Sequence, residues 1–256
     1  MLLLKPAYVE RSYYTDLLDQ ACDAKYLAPR PGIHNSDICG SCPKQAAFIA
    51  LDKHRKLSKR SKNYFFSGEA VDEKLRNMFT NRVKGHYDTA KTVTLGPIIG
   101  NPDLYDIDND TVLEIKSTDP NKWTPLPRSH QMDQLIGYMA MMDCQKGVLW
   151  YYILTRKQDD GFWREFHITL TKAELQEKRN EMLDDAMSLE GAINAKNPDL
   201  ARNVASDPEF GWKCKNYCDY TDYCEQGYAT QQRLFGKTNL KSQLEASLVG
   251  IKKLKQ

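Results

Sequence analysis

A block of short apolar segments in the middle of the chain constrains the fold more than any other feature of the sequence. These segments are rich in Val, Ile, Leu, Tyr and Thr, a composition typical of β-strands, and they lie at 92–99, 103–107, 111–117, 147–155 and 163–170. A helical pattern interrupts them at 130–143. Further helical patterns flank the block at 15–28, 36–52, 68–82 and 172–195. We therefore predict an α/β fold in which helices flank a mixed central sheet.

The composition and the first residues favour a protein that is neither membrane-spanning nor secreted. The 256 residues are 41% hydrophobic and 27% charged, as is ordinary for a globular chain. No segment approaches the roughly 20 consecutive apolar residues that a membrane-spanning helix needs. The opening Met-Leu-Leu-Leu is followed at once by Lys5-Pro6, which is too short for the core of a signal peptide. We expect a cytoplasmic protein, of a prokaryotic cell or of a virus acting in its host, without structural disulfides.

An acidic hairpin carries the strongest indication of chemistry. Asp103 begins the second predicted strand, and Glu114 and Lys116 lie on one face of the third, after a turn at Asn109-Asp110. Two adjacent carboxylates repel each other unless a cation neutralises them, and oxygen ligands suit Mg²⁺ or Mn²⁺. Such an ion activates water and polarises a phosphoryl oxygen. The alternative is a surface hairpin with scattered charges, although the apolar neighbours of Glu114 make it costly to place a charge there without a purpose.

The same hairpin resembles the signature of the PD-(D/E)XK nucleases. Pro102-Asp103 is followed, after ten residues, by Glu114-Ile115-Lys116. The resemblance implies that Asp103, Glu114 and the Ile115 carbonyl hold the metal ion, and that Lys116 serves the attacking water or the transition state.

The helix that follows the hairpin resembles the RecB-like branch of that family. Gln134-Leu-Ile-Gly-Tyr138 is similar to its Gln-hydrophobic-x-x-Tyr motif, and residues four apart share a helical face. The resemblance implies that Gln134 and Tyr138 place the strand to be cut. From the residues alone, a polar helix edge and a core tyrosine are the alternative.

The helix before the sheet departs from the RecB-like pattern. Family members usually carry Gly-x-x-x-His there, whereas this chain has Gly68-Glu-Ala-Val-Asp72. The resemblance makes Asp72 a metal ligand, and aspartate suits Mg²⁺ or Mn²⁺ better than imidazole does. Glu69 and Glu73 on the same helix are alternative ligands.

The seven cysteines are unevenly placed, which in a reducing compartment indicates metal binding. Cys214, Cys218 and Cys224, with the Cys-Pro-Lys sequence at Cys42, resemble the iron–sulfur RecB-like nucleases, including the CRISPR-associated single-strand DNA exonucleases. The resemblance implies that these four thiols hold a [4Fe–4S] cluster as a structural link between the two ends of the chain, with Cys39 left over. The alternative is a structural Zn²⁺ site that uses Cys39, Cys42 and two of the late cysteines.

Two segments predict a DNA-binding surface. One is a basic run at 53–62, whose six cations are Lys53, Arg55, Lys56, Lys59, Arg60 and Lys62. The other is the loop at 122–130, where a lysine beside Trp123, with Arg128 nearby, suits stacking on an unpaired base. A solvated surface that binds nothing is the alternative for the basic run.

These features, with the resemblance, predict a RecB-like (restriction-endonuclease-like) fold with a cysteine-rich helical segment at its C-terminal end. One compact unit would comprise an N-terminal helical region (1–90) with the first cluster cysteine and the basic run, a nuclease core (91–196), and a C-terminal iron–sulfur segment with a Lys-rich tail (197–256). The implied activity is Mg²⁺- or Mn²⁺-dependent hydrolysis of DNA, as an exonuclease acting on a single-stranded end. The alternatives are a non-catalytic DNA-binding or scaffold subunit, and a zinc-containing nucleic-acid adaptor. A homo-oligomer or association with other DNA-processing proteins is left open.

Overall fold

The helices and strands come from a computed structural model. It describes residues 13–28, 30–52, 57–89, 91–118, 126–153, 163–207, 210–216, 218–221 and 223–224. The helices are α1 Tyr13–Tyr26, α2 Asn35–Ile38, α3 Pro43–Leu51, α4 Lys59–Arg82, α5 Ser129–Met142, α6 Lys172–Asn194 and α7 Trp212–Asn216, with a 3₁₀ helix at Pro198–Leu200. The strands are β1 Ile33–His34, β2 Tyr87–Asp88, β3 Val93–Leu95, β4 Ile98–Gly100, β5 Leu104–Asp106, β6 Thr111–Thr118, β7 Lys146–Ile153 and β8 Trp163–Thr169.

The larger of the two sheets is mixed. Its strand order is β2-β5-β6-β7-β8, and the smaller sheet has the order β1-β4-β3. Strands β6 and β7 are parallel, whereas the other pairs of the larger sheet are antiparallel. A parallel pair needs a crossover connection, and α5 lies within it. The predicted α/β fold with a mixed sheet is confirmed.

Helices cover both faces of the larger sheet. Val112 on β6 belongs to the main core, to which α3, α5 and α6 contribute. Ile115 on the same strand belongs to a second cluster with Leu75 of α4. Because alternate residues of a strand point to opposite faces, α4 and α5 lie on opposite sides of β6. Both helices therefore reach the strand that carries Glu114 and Lys116.

Three predicted elements differ from those observed. The strand expected at 92–99 is two strands, β3 and β4, because Gly96 turns the chain with a φ of +56°. The single helix expected at 36–52 is also two elements, α2 and α3. Gly40, with a φ of +60°, turns the chain between them.

The third helix begins at Lys59, nine residues before the predicted start. Ser58 caps it, its Oγ accepting a hydrogen bond from the Ser61 backbone N–H at 3.0 Å. Gly68 lies inside α4 and faces the end of β6, where a Cβ would be 4.0 Å from Ser117 Oγ. The end of the basic run is therefore helical.

In the part of the chain that the structure describes, no helix is long and apolar enough to span a membrane.

Candidate active site

The β5–β6 hairpin brings the predicted carboxylates together. Leu104 pairs with Leu113 in this antiparallel register, so the register places Asp103 opposite Glu114. Asp103 Oδ2 accepts a hydrogen bond from the Ile115 backbone N–H at 2.7 Å, which fixes its carboxylate against β6. Lys116 follows on the same face as Glu114, and its ammonium donates a hydrogen bond to Glu114 Oε1. Asp103, Glu114 and Lys116 therefore form one cluster.

Glu114 is buried to a degree that is rare for a carboxyl group. Its side chain is 2% exposed. Burial first, and then the negative charge of Asp103, raise the pKa of Glu114 to about 8. Its Oε2 is buried and receives no hydrogen bond from the described residues. An unsatisfied buried oxygen costs free energy, and a cation beside it would both satisfy it and favour the ionised carboxylate.

Lys116 keeps its charge although it lies inside the protein. Burial lowers the pKa of its ammonium, but the carboxylates of Glu114 and Asp103 outweigh burial, so the pKa of Lys116 is raised. The side chain is 21% exposed, so it is partly accessible to solvent. A fixed positive charge at this position suits a phosphate group.

The α4 side of the site contains Asp72 and an arginine that the sequence analysis missed. Arg76 Nε donates to Asp72 Oδ1 at 2.9 Å, and Arg76 Nη2 donates to Asp103 Oδ1 at 2.8 Å. Glu69 instead accepts a hydrogen bond from Tyr26 on α1 at 2.8 Å, and Glu73 is exposed. Of the three candidate carboxylates on α4, Asp72 is the one linked to the site.

The α5 side brings Gln134 and Tyr138 to the same cluster. Gln134 Nε2 donates to the Tyr138 hydroxyl at 3.5 Å, a long hydrogen bond. Tyr138 is buried, and its pKa is raised first by that burial and then by the nearby Glu114 carboxylate. The two residues predicted to place a DNA strand therefore lie beside the acidic hairpin.

The donor set suits a hard divalent cation, although it is not arranged around one. Among the residues that the structure describes, no three His, Cys, Asp or Glu side chains are placed so that they could hold a metal ion as they stand. At the acidic cluster the physical reason is Arg76, whose guanidinium binds the carboxylates of both Asp72 and Asp103. Carboxylate oxygens, the unsatisfied Oε2 of Glu114 among them, are the ligands that Mg²⁺ and Mn²⁺ prefer.

All four predicted cluster cysteines line one pocket. They are Cys42, at the start of α3, and Cys214, Cys218 and Cys224. Burial raises the pKa of both Cys214 and Cys218 to about 11, and the charge of Cys42 adds to the shift. The Thr221 hydroxyl oxygen lies 2.8 and 2.9 Å from the carbonyl oxygens of Cys214 and Cys218, which share its single hydrogen, and this contact fixes the loop between them.

Cys39 lies elsewhere. It belongs to the main core, where it packs so closely on α5 that a Cβ at Gly137 would be 2.7 Å from its Sγ. Cys39 is not among the described residues that line the four-cysteine pocket. The alternative zinc site that combined Cys39 with Cys42 and two late cysteines therefore does not fit this arrangement.

The residues that were predicted to bind DNA lie in different surroundings. Lys62 is buried and donates to Asp23 of α1 at 2.7 Å, so its charge joins α1 to α4. The DNA contact stays a prediction for this residue, and it would require the ammonium to leave Asp23. Lys59 is exposed at the start of α4. The residues outside the described part of the chain are Lys53, Arg55, Lys56 and Trp123. The side chain of Arg60 also lies outside it.

Arg128, a predicted DNA-binding residue, lies at the end of β6 that follows Lys116. Its Nη2 donates to Thr118 Oγ1 at 3.0 Å. Thr118 is two positions beyond Lys116 and shares its face of β6. The guanidinium of Arg128 therefore extends the positive charge of Lys116 along one edge of the site.

The fold of this chain is similar to that of solved structures. The structure of the protein SSO0001 matches it with a TM-score of 0.53 at 19% identity, over 84% of this chain and 98% of that one. An alkaline exonuclease from Laribacter hongkongensis matches at a TM-score of 0.48 and 16% identity, over 69% and 95% of the two chains. A phage-related exonuclease from Haemophilus somnus 129PT matches at 0.46 and 12%, over 66% and 97%. No protein-family model matches the sequence, and comparison with curated proteins gives no match.

Proposed function

We propose that this protein is a Mg²⁺- or Mn²⁺-dependent deoxyribonuclease of the RecB-like kind, acting on DNA with a single-stranded end. The observation that carries this proposal is the buried Glu114 carboxyl, held beside Asp103 and Lys116 with one oxygen unsatisfied. A buried carboxyl pair with a lysine alongside is expensive to maintain. Carboxylates beside a cationic side chain are the kind of groups that metal-assisted phosphodiester hydrolysis uses.

Each residue of the cluster has a role in this chemistry. Asp103, Glu114, Asp72 and the Ile115 carbonyl would hold the cation, which, when bound, lowers the pKa of a water molecule and polarises a phosphoryl oxygen. Lys116 stabilises the negative charge that develops on the phosphate.

The residues around the cluster support DNA as the substrate. Gln134 and Tyr138 provide amide and hydroxyl donors that orient the strand, and Arg128 adds a cation for a neighbouring phosphate. Phe66 on α4 is 61% exposed between Lys59 and Asp72, and an exposed ring suits stacking on an unpaired base. Stacking on Phe66 would require an unpaired base, as a single strand supplies.

A nucleotide-release assay tests the proposal. The protein is incubated with end-labelled single-stranded DNA, and with the same sequence as a closed circle, in Mg²⁺, Mn²⁺ or EDTA. We expect metal-dependent release of nucleotides from the linear strand, its loss in Asp103→Ala, and resistance of the circle. Asp184→Ala is the matched control, since Asp184 is exposed on α6 and away from the site. DNA binding without cleavage under every condition would instead support the non-catalytic subunit.

We also propose that the four-cysteine pocket holds a [4Fe–4S] cluster. Four thiolates complete the ligand set of such a cluster. Lys44 lines the same pocket, with its ammonium in an ion pair with Asp199 at 2.6 Å. The cluster would join the start of α3 to the segment that contains α7. The contact of the Thr221 hydroxyl with the backbone of Cys214 and Cys218 holds this loop beside the pocket, which supports the proposal. The four thiols would move closer together to bind the cluster, since these four described residues do not form a metal-binding group as they stand.

Anaerobic purification tests the cluster. We expect a brown protein that contains iron and sulfide, and loss of both in Cys42→Ser. Cys39→Ala is the control, because Cys39 lies in the main core and its replacement should leave the iron content unchanged. A colourless protein with stoichiometric zinc, lost in either variant, would contradict the proposal.

A further inference from the structure

Arg76 is bound on three sides within the candidate active site. Beside its hydrogen bonds to Asp72 and Asp103, its Nη1 donates to the Thr89 carbonyl at 2.9 Å. All three guanidinium nitrogens therefore have acceptors, in the planar geometry that arginine favours. The side chain is 26% exposed, and that of Asp103 is 14% exposed, so the contacts are partly shielded from water.

We propose that Arg76 is an internal counterion that competes with the divalent cation for Asp103, and so sets the affinity of the site for metal. This inference rests on the proposed function, since it concerns the same metal ligands. It adds a residue and a role that the motif resemblance does not supply.

Both oxygens of Asp103 already accept a hydrogen bond in the metal-free protein. Oδ2 accepts from the Ile115 backbone N–H at 2.7 Å, and Oδ1 accepts from Arg76 at 2.8 Å. A divalent cation that binds Oδ1 would lie close to the positively charged Arg76 guanidinium, and the two charges repel each other. The ion and Arg76 therefore compete for this oxygen of Asp103.

The contact that can lengthen is the one to Arg76. The Ile115 N–H belongs to the backbone of β6, which is fixed between β5 and β7. The Arg76 guanidinium is on a long side chain, and it keeps two acceptors, Asp72 and the Thr89 carbonyl, if it releases Asp103. Release of Asp103 therefore leaves Arg76 partly satisfied, and the protein does not need to rearrange its sheet.

Arg76 also explains how the carboxylates coexist in the absence of a cation. Lys116 pairs with Glu114, which leaves Asp72 and Asp103 to share Arg76. Partly buried carboxylates without a counterion repel each other and destabilise the fold. Arg76 thus stabilises the metal-free protein by the same contact that opposes the metal.

A Mn²⁺ titration followed by calorimetry or electron paramagnetic resonance tests this role without depending on activity. We expect Arg76→Gln to bind Mn²⁺ about tenfold more tightly than the wild type, the scale set by one lost hydrogen bond between charged groups. Its melting temperature should be lower without Mn²⁺ and should rise more when Mn²⁺ is added. Arg82→Gln is the matched control, because it removes the same charge at an exposed position of α4. This substitution should leave the affinity for Mn²⁺ unaltered.

The outcomes separate this inference from the proposed function. Wild-type protein that binds no Mn²⁺ and releases no nucleotides would remove the proposed nuclease. Wild-type protein that binds Mn²⁺, with Arg76→Gln binding it equally or more weakly, would overturn only the role of Arg76. If Arg76→Gln does not fold without metal, Arg76→Lys serves in its place, since lysine keeps the charge but cannot bridge both carboxylates. It should bind Mn²⁺ more tightly than the wild type, and equal or weaker binding would overturn the role.

Discussion

Replacing Lys116 by methionine should lower the rate of DNA cleavage roughly 10²–10³-fold, the loss typical when one group that stabilises transition-state charge is removed. Methionine keeps most of the apolar stem of the side chain but carries no charge. Because the ammonium of Lys116 lies beside the metal ligand Glu114, its removal should leave Mn²⁺ affinity equal or higher. The measurement is single-turnover cleavage of labelled DNA at saturating Mn²⁺, together with a Mn²⁺ titration.

The control for this prediction is Lys172→Met. Lys172 is exposed at the start of α6, so its replacement makes the same chemical change far from the cluster, and the cleavage rate should not change. Lys116→Met cleaving DNA at the wild-type rate would contradict the assigned role. Loss of Mn²⁺ binding in the variant would instead assign Lys116 to the structure of the site.

The largest effect on stability is expected at Gly40, between α2 and α3. Its φ of +60° is unfavourable for other residues, and a Cβ there would lie 1.8 Å from the His130 carbonyl oxygen of α5. Its N–H donates to the Asp133 carboxylate, and its carbonyl accepts from Lys213. Gly40→Ala should therefore lower the free energy of unfolding by about 4 kcal/mol or more, because a backbone clash adds to backbone strain.

Urea unfolding checks this prediction, with Gly191→Ala as the matched control. Gly191 lies within α6, and a Cβ there meets no atom within 4 Å. The same substitution should stabilise that helix by about 0.5–1 kcal/mol, because alanine is the better helix former. A free energy of unfolding for Gly40→Ala within about 1 kcal/mol of the wild type, a loss typical of an ordinary substitution, would show that the segment before Cys42 does not pack against α5 as described.

The strand periodicity and the turn spacing were enough to predict the acidic hairpin. A period of two places Glu114 and Lys116 on one face, and a turn at Asp110 with a φ of +49° brings Asp103 opposite Glu114. The sequence could not choose between Asp72, Glu69 and Glu73, because the choice depends on which face of α4 meets β6 and which meets α1.

Other features depend on contacts between distant segments, which a single sequence does not contain. Arg76 was missed because its second partner, Asp103, lies 27 residues later on another element. Lys62 seemed to belong to an exposed basic run, since its partner Asp23 lies 39 residues earlier on α1. The sequence predicts a helix start at Gly68 and not at Ser58, because Ser58 lies within the basic run, whose charges obscure the helical pattern. The different roles of Cys39 and Cys42 follow only from their surroundings. Cys39 lies in the main core, and Cys42 lines the four-cysteine pocket.

The most direct measurement is anomalous diffraction from crystals soaked in Mn²⁺. We expect a manganese peak bound by Asp103 and Glu114, with the Lys116 ammonium nearby and Arg76 Nη2 drawn away from Asp103. Well-ordered carboxylates at full Mn²⁺ concentration, with no anomalous peak between them and Arg76 still bound to Asp103, would contradict the claim that this cluster is a metal-dependent active site.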